Sequence, residues 1–230
     1  MRRVQVLGFM VALALAGCGS SHTVGHTTSA PVTGKTSALV NGCRHVAVPA
    51  PKGPQHLRPP TLRLDPARTY TINVTTNCGA FAFDLDVRQS PKTSASIYAL
   101  VKHGFYDGLT FQRVAADFVI QGGDPLGNGT GGPGYTVVEP PPASTQYVEG
   151  TVAMAKTETQ PSGASGSQFF IVTTANATAS AGLTPVYALA GKVVSGLGVV
   201  EAIGRLPTNP AQDGYPDPPV VMSKVTVTVS

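Results

Sequence analysis

The part of the chain after residue 68 is divided into short runs of strand-forming residues, and this division constrains the fold most. In the first two runs, TYTINVTTN from Thr69 and GAFAFDLDV from Gly79, apolar and polar side chains alternate, and the turn between them predicts a β-hairpin. Alternation of this kind places successive side chains on opposite faces of a sheet. Further strand-like runs occupy residues 149–156, 167–174, 187–194 and 220–229.

Two segments between the strands have helical features. Ser90 and Pro91 provide an N-cap residue and a proline at the first helical position, and Gly104 ends the apolar stripe that follows. A second helix is expected over residues 198–203. Because closure of a sheet leaves no unpaired edge strand, we predict an antiparallel barrel with a helix at each end.

Residues 1–18 have the features of an export signal. A pair of arginines precedes an apolar run that ends at Ala16 and is too short to span a bilayer comfortably. The ending Leu-Ala-Gly-Cys resembles the lipobox of bacterial lipoproteins, in which the signal is removed before the cysteine and the cysteine is lipidated. We therefore expect a signal peptide over residues 1–17, lipidation at Cys18 and a lipid-anchored protein outside the cytoplasm. The alternative is an ordinary cleaved signal with an incidental cysteine.

Residues 18–68 have no regular hydrophobic period and are rich in serine, threonine, glycine and proline, which predicts a lipidated tether. Together with the leader, this segment holds half of the 16 basic residues of the chain. Residues 69–230 therefore contain eight basic and eleven acidic residues, a formal charge of −3, although the whole chain has a charge of +4. An acidic domain excludes nucleic acid as the expected partner.

Cys43 and Cys78 are the cysteines that remain once Cys18 is assigned to the lipid anchor. Outside the cytoplasm, two lone thiols usually form a disulfide bond. Such a bond would fold the second half of the tether back onto the first hairpin. We therefore predict that residues 43–68 are a strapped extension of a domain that spans residues 69–230.

The stretch from Phe111 to Asp124, FQRVAADFVIQGGD, is the strongest candidate for a binding site. Its apolar residues predict a largely buried segment, yet Arg113 and Gln121 bring a guanidinium and an amide into it. In a purely structural interpretation, Arg113 reaches solvent and Gln121 is a satisfied core amide. In a functional interpretation, these polar groups beside aromatic rings bind a peptide.

Motifs for several other chemistries are missing from the sequence. Gly127, Gly129 and Gly132 have the GxGxxG spacing, but the residues that follow are rich in proline and strand formers, which excludes a dinucleotide-binding helix. The sequence also contains no nucleophile elbow, no paired acid site and no cysteine and histidine cluster for a metal.

A set of motifs in the second half of the chain resembles the cyclophilin family in order and spacing. They are FQR at 111–113, Phe118 with QGGD at 121–124, NGTGG at 128–132, AMA at 153–155 and GSQFF at 166–170. The resemblance covers Thr69 to the C-terminus and implies a mainly β fold, a closed eight-stranded antiparallel β-barrel capped by two α-helices. It also implies a monomeric peptidyl-prolyl cis/trans isomerase that acts on proline-containing unfolded or extended polypeptides without a metal or cofactor.

The resemblance also implies roles for the matched residues. Arg113 would donate a hydrogen bond toward the imide nitrogen of an X-Pro bond, and Gln121 would bind the substrate backbone and steady Arg113. With Phe118, these are the expected catalytic residues. The pocket for the proline ring would consist of Phe118, Met154, Phe170 and Leu183. Further substrate-binding residues would be Ala155, Lys156, Gln168 and Tyr187.

Several positions depart from the best-known eukaryotic pattern of the family. Val119 and Tyr187 stand where methionine and histidine are usual, and Lys156 with Thr157 replaces an Asn-Ala pair. Gly182 stands where a tryptophan is usual. Because glycine offers neither an aromatic ring nor an indole N–H, we expect cyclosporin, the typical inhibitor of the family, to bind weakly.

Two classes of function fit this sequence. An active isomerase would help exported proteins to fold, whereas a membrane-anchored binding or chaperone module would hold proline-containing segments in the same groove without turnover. The presence of Arg113 favours the isomerase. A third possibility, a role in adhesion at the cell surface, rests on location alone.

Overall fold

The computed structural model describes residues 39–230 of the chain. The predicted signal peptide over residues 1–17 and the predicted lipidation site at Cys18 lie outside the described residues. Within residues 39–230, no helix combines the length and the apolar character needed to cross a membrane.

The part of the chain that the structure describes contains thirteen strands, three α-helices and one 3₁₀ helix. The strands are β1 Tyr70–Thr76, β2 Gly79–Leu85, β3 Thr110–Phe111, β4 Arg113–Ala115, β5 Val119–Gly122, β6 Val137–Val138, β7 Thr151–Met154, β8 Ala164–Ser165, β9 Phe169–Val172, β10 Leu189–Ser195, β11 Thr208–Asn209, β12 Tyr215–Pro216 and β13 Val220–Val229. The helices are α1 Pro91–Lys102, α2 Ala177–Ala181 and α3 Leu197–Gly204, and the 3₁₀ helix is Pro210–Gln212.

One antiparallel sheet closes into a barrel. Its strand order is β3-β13-β1-β2-β10-β7-β9-β5-β4. The first and last strands in this order are two halves of one segment, because only Gln112 separates β3 from β4. One half pairs with β13 and the other pairs with β5. When that segment is counted once, eight strands surround the barrel, which confirms the predicted fold.

The inward-facing side chains of the strands fill the barrel. Ile72, Val152 and Ile171, which come from three different strands, are among the most deeply buried. The rings of Phe111 and Phe169 meet edge to face, with their centroids 5.8 Å apart. Full burial of one such side chain contributes about 1.5 to 3 kcal/mol. Because this core determines which side chains point inward, it also determines which side chains of the same strands point outward.

Helices α1 and α3 correspond to the two helices that the sequence predicts, whereas the short helix α2 was not predicted. Ser90 is the N-cap residue of α1, but its side chain makes no capping hydrogen bond. The carboxylate of Glu139 instead accepts hydrogen bonds from the backbone N–H groups of Lys92 and Thr93, at 3.1 and 2.8 Å. A carboxylate there satisfies free N–H groups and interacts favourably with the helix dipole.

Residues 43–64, here called the strap, lie along the surface of the barrel. Cys43 is joined to Cys78, in the turn between β1 and β2, by a disulfide bond. Farther along the strap, Leu57 and Leu64 pack against the barrel core. The strap is therefore held both by a covalent bond and by apolar packing.

Candidate functional site

Strands β4 and β5 place the two candidate polar residues side by side. Arg113 pairs with Gln121 in the antiparallel register, and the adjacent pair is Val114 with Ile120. Val114 and Ile120 belong to the barrel core, so the alternation of the strands puts Arg113 and Gln121 on the outer face. Both polar side chains are partly exposed. A ligand on this face can therefore reach the guanidinium and the amide.

The same outer row continues into the two neighbouring strands. Gln121 of β5 pairs with Phe170 of β9, and Phe170 pairs in turn with Ala153 of β7. The row thus runs from the guanidinium of Arg113 through an amide to an aromatic ring. We call the surface over this row the groove.

The guanidinium of Arg113 lies beside a carboxylate that no sequence pattern indicates. Its Nε is 3.5 Å from Oδ1 of Asp213, which follows the 3₁₀ helix. The side chain of Asp213 is 89% exposed and that of Arg113 is 33% exposed. Water screens an ion pair of this kind, so its attraction is weak. The N–H groups of Arg113 are therefore available to a ligand.

A network of glutamine side chains connects the groove with the glycine-rich loop at residues 123–134. Gln112 and Gln121 each donate a side-chain hydrogen bond to Oε1 of Gln168, at 3.0 Å. Gln168 donates in turn to the backbone carbonyls of Gly129 and Gly131, at 2.9 and 2.8 Å. Gln112 belongs to the FQR motif, but no feature of the sequence indicates its part in this network.

The expected contact by which Gln121 would steady Arg113 is not seen. Within residues 39–230, the structure shows no hydrogen bond between these two side chains, and the amide of Gln121 is held by Gln168. The two residues are neighbours across the strands and have different partners.

An apolar cluster covers the outer face next to this row. It contains five of the predicted site residues, namely Phe118, Ala155, Phe170, Leu183 and Tyr187. The rings of Phe170 and Tyr187 meet edge to face at 87°, with centroids 5.4 Å apart. Such pairs stabilise each other beyond the area they bury. The structure therefore brings these five predicted residues together in one cluster.

Tyr147 supports this cluster from behind. Its hydroxyl donates to the carbonyl of Tyr187 at 2.7 Å and accepts the backbone N–H of the same residue at 3.1 Å. Burial raises the pKa of Tyr147 to about 12, although the hydrogen bond to Tyr187 opposes this shift. The phenol is therefore neutral at physiological pH and holds the Tyr187 backbone in place.

Met154 is not part of the apolar cluster. Its side chain is 1% exposed and packs in the barrel core, as does that of Val152 in the same strand. The intervening Ala153 points outward, as the period of two requires. The prediction that Met154 contacts the proline ring is therefore wrong. Val119, at the start of β5, packs in the outer cluster.

Lys156 lies at the edge of the cluster. Its ammonium nitrogen is 5.8 Å from the centroid of the Tyr187 ring, within the range of a cation–π attraction. The same nitrogen donates to the carbonyls of Thr157 and Gln160, at 2.9 and 3.1 Å. These contacts fix a positive charge at the rim of the groove.

Asp124 orders the glycine-rich loop beside the groove. Its buried carboxylate accepts hydrogen bonds from the backbone N–H groups of Leu126 at 2.8 Å and Asn128 at 2.9 Å, and also from Gly129. Hydrogen bonds to a charged acceptor are stronger than those between neutral groups. These hydrogen bonds therefore tie the first half of the loop to a buried carboxylate despite its many glycines.

The groove combines a charged N–H donor, side-chain amides and an apolar cluster. The cluster offers a place for an apolar ring, and Arg113 offers a donor to a polar atom next to that ring. Among residues 39–230, no group of three or more histidine, cysteine, aspartate or glutamate side chains is placed to hold a metal ion. The arrangement suits the non-covalent binding of an extended peptide. The remaining predicted pair, Cys43 and Cys78, joins the start of the strap to the turn between β1 and β2 and is not among the groove residues.

Comparison with known proteins relates the chain to one family. A family model described as cyclophilin type peptidyl-prolyl cis-trans isomerase/CLD matches residues 71–227. Peptidyl-prolyl cis-trans isomerase B of Bacillus subtilis is 43% identical over 118 residues, which are 50% of this chain and 76% of that protein. A peptidyl-prolyl cis-trans isomerase of Helicobacter pylori is 37% identical over 120 residues, which are 47% of this chain and 72% of that protein.

Solved structures give the same relationship. A crystal structure of a cyclophilin-type peptidyl-prolyl cis-trans isomerase of Cryptosporidium parvum superimposes with a TM-score of 0.61 and 28% sequence identity, and covers 70% of this chain and 98% of its own. A second structure of that protein, determined in the presence of the dipeptide Ala-Pro, has a TM-score of 0.60 and covers 69% of this chain and 98% of its own.

Proposed function

The chain belongs to the cyclophilin family of peptidyl-prolyl cis-trans isomerases and isomerises X-Pro peptide bonds, and we propose that its substrates are exported polypeptides that fold outside the cytoplasm. We assign the reaction to the groove. The observation that carries this assignment is the outer row in which Arg113, Gln121 and Phe170 stand on adjacent strands.

Arg113 is the proposed catalytic donor. An X-Pro bond rotates slowly because amide resonance creates a barrier near 20 kcal/mol. A hydrogen bond from the guanidinium to the imide nitrogen localises the lone pair of that nitrogen and weakens the double-bond character. Shortening the time of rotation about the X-Pro bond from tens of seconds to about a millisecond requires roughly 6 to 7 kcal/mol of selective transition-state stabilisation. A charged donor in a partly desolvated groove supplies a substantial part of that energy.

The apolar cluster is the proposed site of the proline ring. Phe118 and Leu183 are partly exposed members of this cluster, and Phe170 forms its base. A hydrophobic surface of this kind binds the ring in both the ground state and the transition state. Gln121 and Gln168 are placed to bind the substrate backbone, since they lie between the ring site and the glycine-rich loop.

We further propose that the protein is a monomer attached to a membrane by a lipid on Cys18. The lipobox-like ending of the leader supports the attachment. The composition of the segment that follows is typical of a tether between an anchor and a domain. The disulfide between Cys43 and Cys78 fits an oxidising compartment. In this arrangement the groove acts on chains as they emerge from the membrane.

A protease-coupled assay with proline-containing peptides tests the activity on the full chain in detergent. We expect isomerisation that saturates with substrate. A protein that suppresses the aggregation of an unfolded, proline-rich client but leaves the isomerisation rate at its uncatalysed value would support the binding-module alternative.

The proposed anchor has its own test. Cells that express the chain are grown with radiolabelled palmitate, and a Cys18→Ser variant is the control. We expect label and membrane association in the natural chain, and neither of them in the variant. Unlabelled protein released into the medium from both cultures would support the ordinary cleaved signal instead.

A further inference from the structure

The strap differs in charge from the barrel that it covers. Residues 43–64 contain four Lys or Arg side chains and neither Asp nor Glu, whereas residues 69–230 have a formal charge of −3. The strap also exposes apolar surface, because Val46, Val48 and Leu62 are three of the six large apolar residues that are exposed within residues 39–230. Positive charge and exposed apolar side chains are therefore combined on the segment that leads from the proposed lipid anchor into the barrel.

The second half of the strap lines a cavity of about 850 Å³, here called the basic pocket. The strap contributes residues 59–64, and much of the remaining wall comes from the start of helix α1 and from strand β6. Leu62 of the strap and Val138 of β6 both line the pocket and are 39% and 44% exposed. An apolar group from outside the protein can therefore reach apolar side chains in this pocket.

Three cations also line the basic pocket. Arg63 comes from the strap, Arg88 from the turn before α1, and Lys92 from the first turn of α1. All three are exposed, and within the described residues no carboxylate oxygen lies within 4.0 Å of their side-chain nitrogens. The carboxylate of Glu139, the residue after Val138, is already occupied by backbone N–H groups of α1. The pocket therefore presents positive charge beside an apolar surface.

An anionic phospholipid has the chemistry that complements this pocket. Its phosphate accepts charge-assisted hydrogen bonds from guanidinium and ammonium groups, and an arginine can offer two parallel N–H donors to it. Its acyl chains can cover exposed apolar side chains such as Leu62 and Val138. Charge and apolar character are thus matched by one kind of molecule.

The proposed anchor keeps the strap close to such lipids. Only the residues between Cys18 and Cys43 separate the anchor from the strap. A fully extended chain spans at most about 3.6 Å per residue, so the strap begins within about 90 Å of the anchor. Confinement of this kind corresponds to an effective concentration on the order of millimolar. Each Lys or Arg near an anionic bilayer strengthens association about fivefold, so three cations contribute on the order of a hundredfold.

We propose that the basic pocket docks on the membrane that carries the anchor and binds the headgroup of an anionic phospholipid there. The inference rests on the proposed function, because the lipid on Cys18 brings the pocket to a membrane. The disulfide bond and the packing of Leu57 and Leu64 fasten the strap to the barrel, so the barrel is held at the bilayer together with the strap. The groove then has one orientation relative to the membrane surface.

A tryptophan placed in the pocket tests the docking. The natural chain contains no tryptophan, so Leu62→Trp supplies the only indole of the protein. Val194→Trp is the matched control, because Val194 is an exposed apolar residue of β10 that does not line the pocket. Both full-length variants are reconstituted into vesicles of phosphatidylcholine, alone or with about one third phosphatidylglycerol, which makes the bilayer anionic. All vesicles contain lipids with brominated acyl chains, which quench indole fluorescence.

The anionic vesicles should quench Leu62→Trp at least about twofold more than the neutral vesicles, and should quench Val194→Trp to the same extent in both. Salt at about 1 M should remove the difference, because it shortens the Debye length to about 3 Å. Reversal of the three charges in the Leu62→Trp chain, by Arg63→Glu, Arg88→Glu and Lys92→Glu, should also remove it. None of these cations belongs to the groove, so peptide isomerisation by this variant should stay within about twofold and shows that the variant is folded.

Equal quenching of Leu62→Trp in neutral and anionic vesicles would overturn the docking, as would equal quenching of Leu62→Trp and Val194→Trp in the anionic vesicles. If polyglutamate changes the emission of Leu62→Trp while the two kinds of vesicle give equal quenching, the pocket binds an acidic polypeptide instead. Emission that changes with protein concentration alone would assign the pocket to a second copy of the chain.

Failure of the proposed anchor gives a different result from failure of the docking. A chain without its lipid does not float with neutral vesicles, whereas a lipidated chain floats with both kinds. In either case, the quenching of Leu62→Trp on anionic vesicles decides whether the basic pocket binds the membrane.

Discussion

The Nε atom of Arg113 lies 3.5 Å from Oδ1 of Asp213, although the two residues are one hundred positions apart in the sequence. The closed barrel creates this contact, because the backbone N–H of Val114 donates to the carbonyl of Gly214 at 2.9 Å and so ties strand β4 to the loop that carries Asp213. The proposed catalytic cation therefore has an anionic neighbour at the rim of the groove.

The Asp213→Asn substitution measures what this neighbour contributes. An exposed ion pair typically stabilises a protein by less than about 1 kcal/mol, so we expect an unchanged unfolding curve within that limit and kcat/KM within about threefold. Steady-state kinetics at low and high salt and urea unfolding provide the measurement. Glu158→Gln, which removes an exposed acid elsewhere, is the control. A loss of more than about tenfold would instead make Asp213 a positioning residue for Arg113.

Gln168→Ala should damage both stability and activity. Gln168 Oε1 accepts from Gln112 and Gln121, and the substitution leaves the buried amide of Gln112 without that partner. An unsatisfied buried polar group costs about 1 to 3 kcal/mol. We expect a loss of that size in urea unfolding and a fall of about tenfold in kcat/KM, since Gln121 also loses its support.

Gln160→Ala is the matched control for this prediction. The side-chain oxygen of Gln160 accepts one hydrogen bond from the exposed backbone of Thr157, at 2.9 Å. We expect its effect on stability to stay below about 1 kcal/mol. Equal unfolding curves for the two variants would show that the glutamine network does not stabilise the groove.

Much of the fold was predictable because, in strands such as β1 and β13, the alternation of apolar and polar residues indicates which face of the strand is buried. The same alternation, applied to β7, would have placed Met154 with Val152 inside the barrel and prevented the one wrong assignment in the proline pocket. Asp213 and Glu139 were not predictable, since each acts on a partner that is remote in sequence and no local pattern encodes such a contact.

Replacement of Cys43 and Cys78 by alanine should destabilise the protein. The bond closes a loop with a sequence separation of 35, which corresponds to about 3 to 4 kcal/mol on the chain-entropy model. The backbone N–H of Arg44 donates to the carbonyl of Asn77 at 3.1 Å. This hydrogen bond joins the same two segments as the disulfide bond. Urea unfolding of the variant and the natural chain measures the difference.

Free-thiol titration of the unfolded, unreduced chain checks the bond itself. We expect neither Cys43 nor Cys78 to react before reduction. Two reactive thiols, or equal urea midpoints for the natural chain and the alanine variant, would contradict the stabilising role.

Cyclosporin should inhibit this isomerase only at high concentration. Gly182 ends helix α2 with a φ of 65° and is exposed, and no atom from a more distant part of the described chain lies within 4 Å of the position of a Cβ atom there. The place where the family usually has a tryptophan is therefore empty, and the loss of its ring contact and indole N–H corresponds to about 2 to 4 kcal/mol of binding. Inhibition of the peptide assay across a concentration series provides the measurement, and nanomolar inhibition would refute the prediction.

Substitution of Phe118 by alanine should weaken substrate binding more than it slows the chemistry. Phe118 packs in the outer cluster and is partly exposed, so in its proposed role it would contact the proline ring in the ground state and the transition state alike. Loss of such uniform binding raises KM with a smaller change in kcat. Kinetics over a wide substrate range separate the two constants. An unchanged KM with a large fall in kcat would contradict the assigned role.

Arg113→Ala should remove most of the activity and leave the fold intact. The proposed hydrogen bond from the guanidinium would strengthen as the imide nitrogen becomes pyramidal, so it would belong mainly to the transition state and contribute about 2 to 4 kcal/mol. We expect kcat/KM to fall roughly 30- to 1000-fold. The ion pair with Asp213 is too exposed to add much to stability, so the melting curve should not move. Arg113→Lys is the informative companion, because it keeps the charge but loses the planar donor group, and it should recover little activity. A variant without Arg113 that keeps a third or more of the natural activity, with an unchanged melting curve, would show that Arg113 is not the catalytic donor.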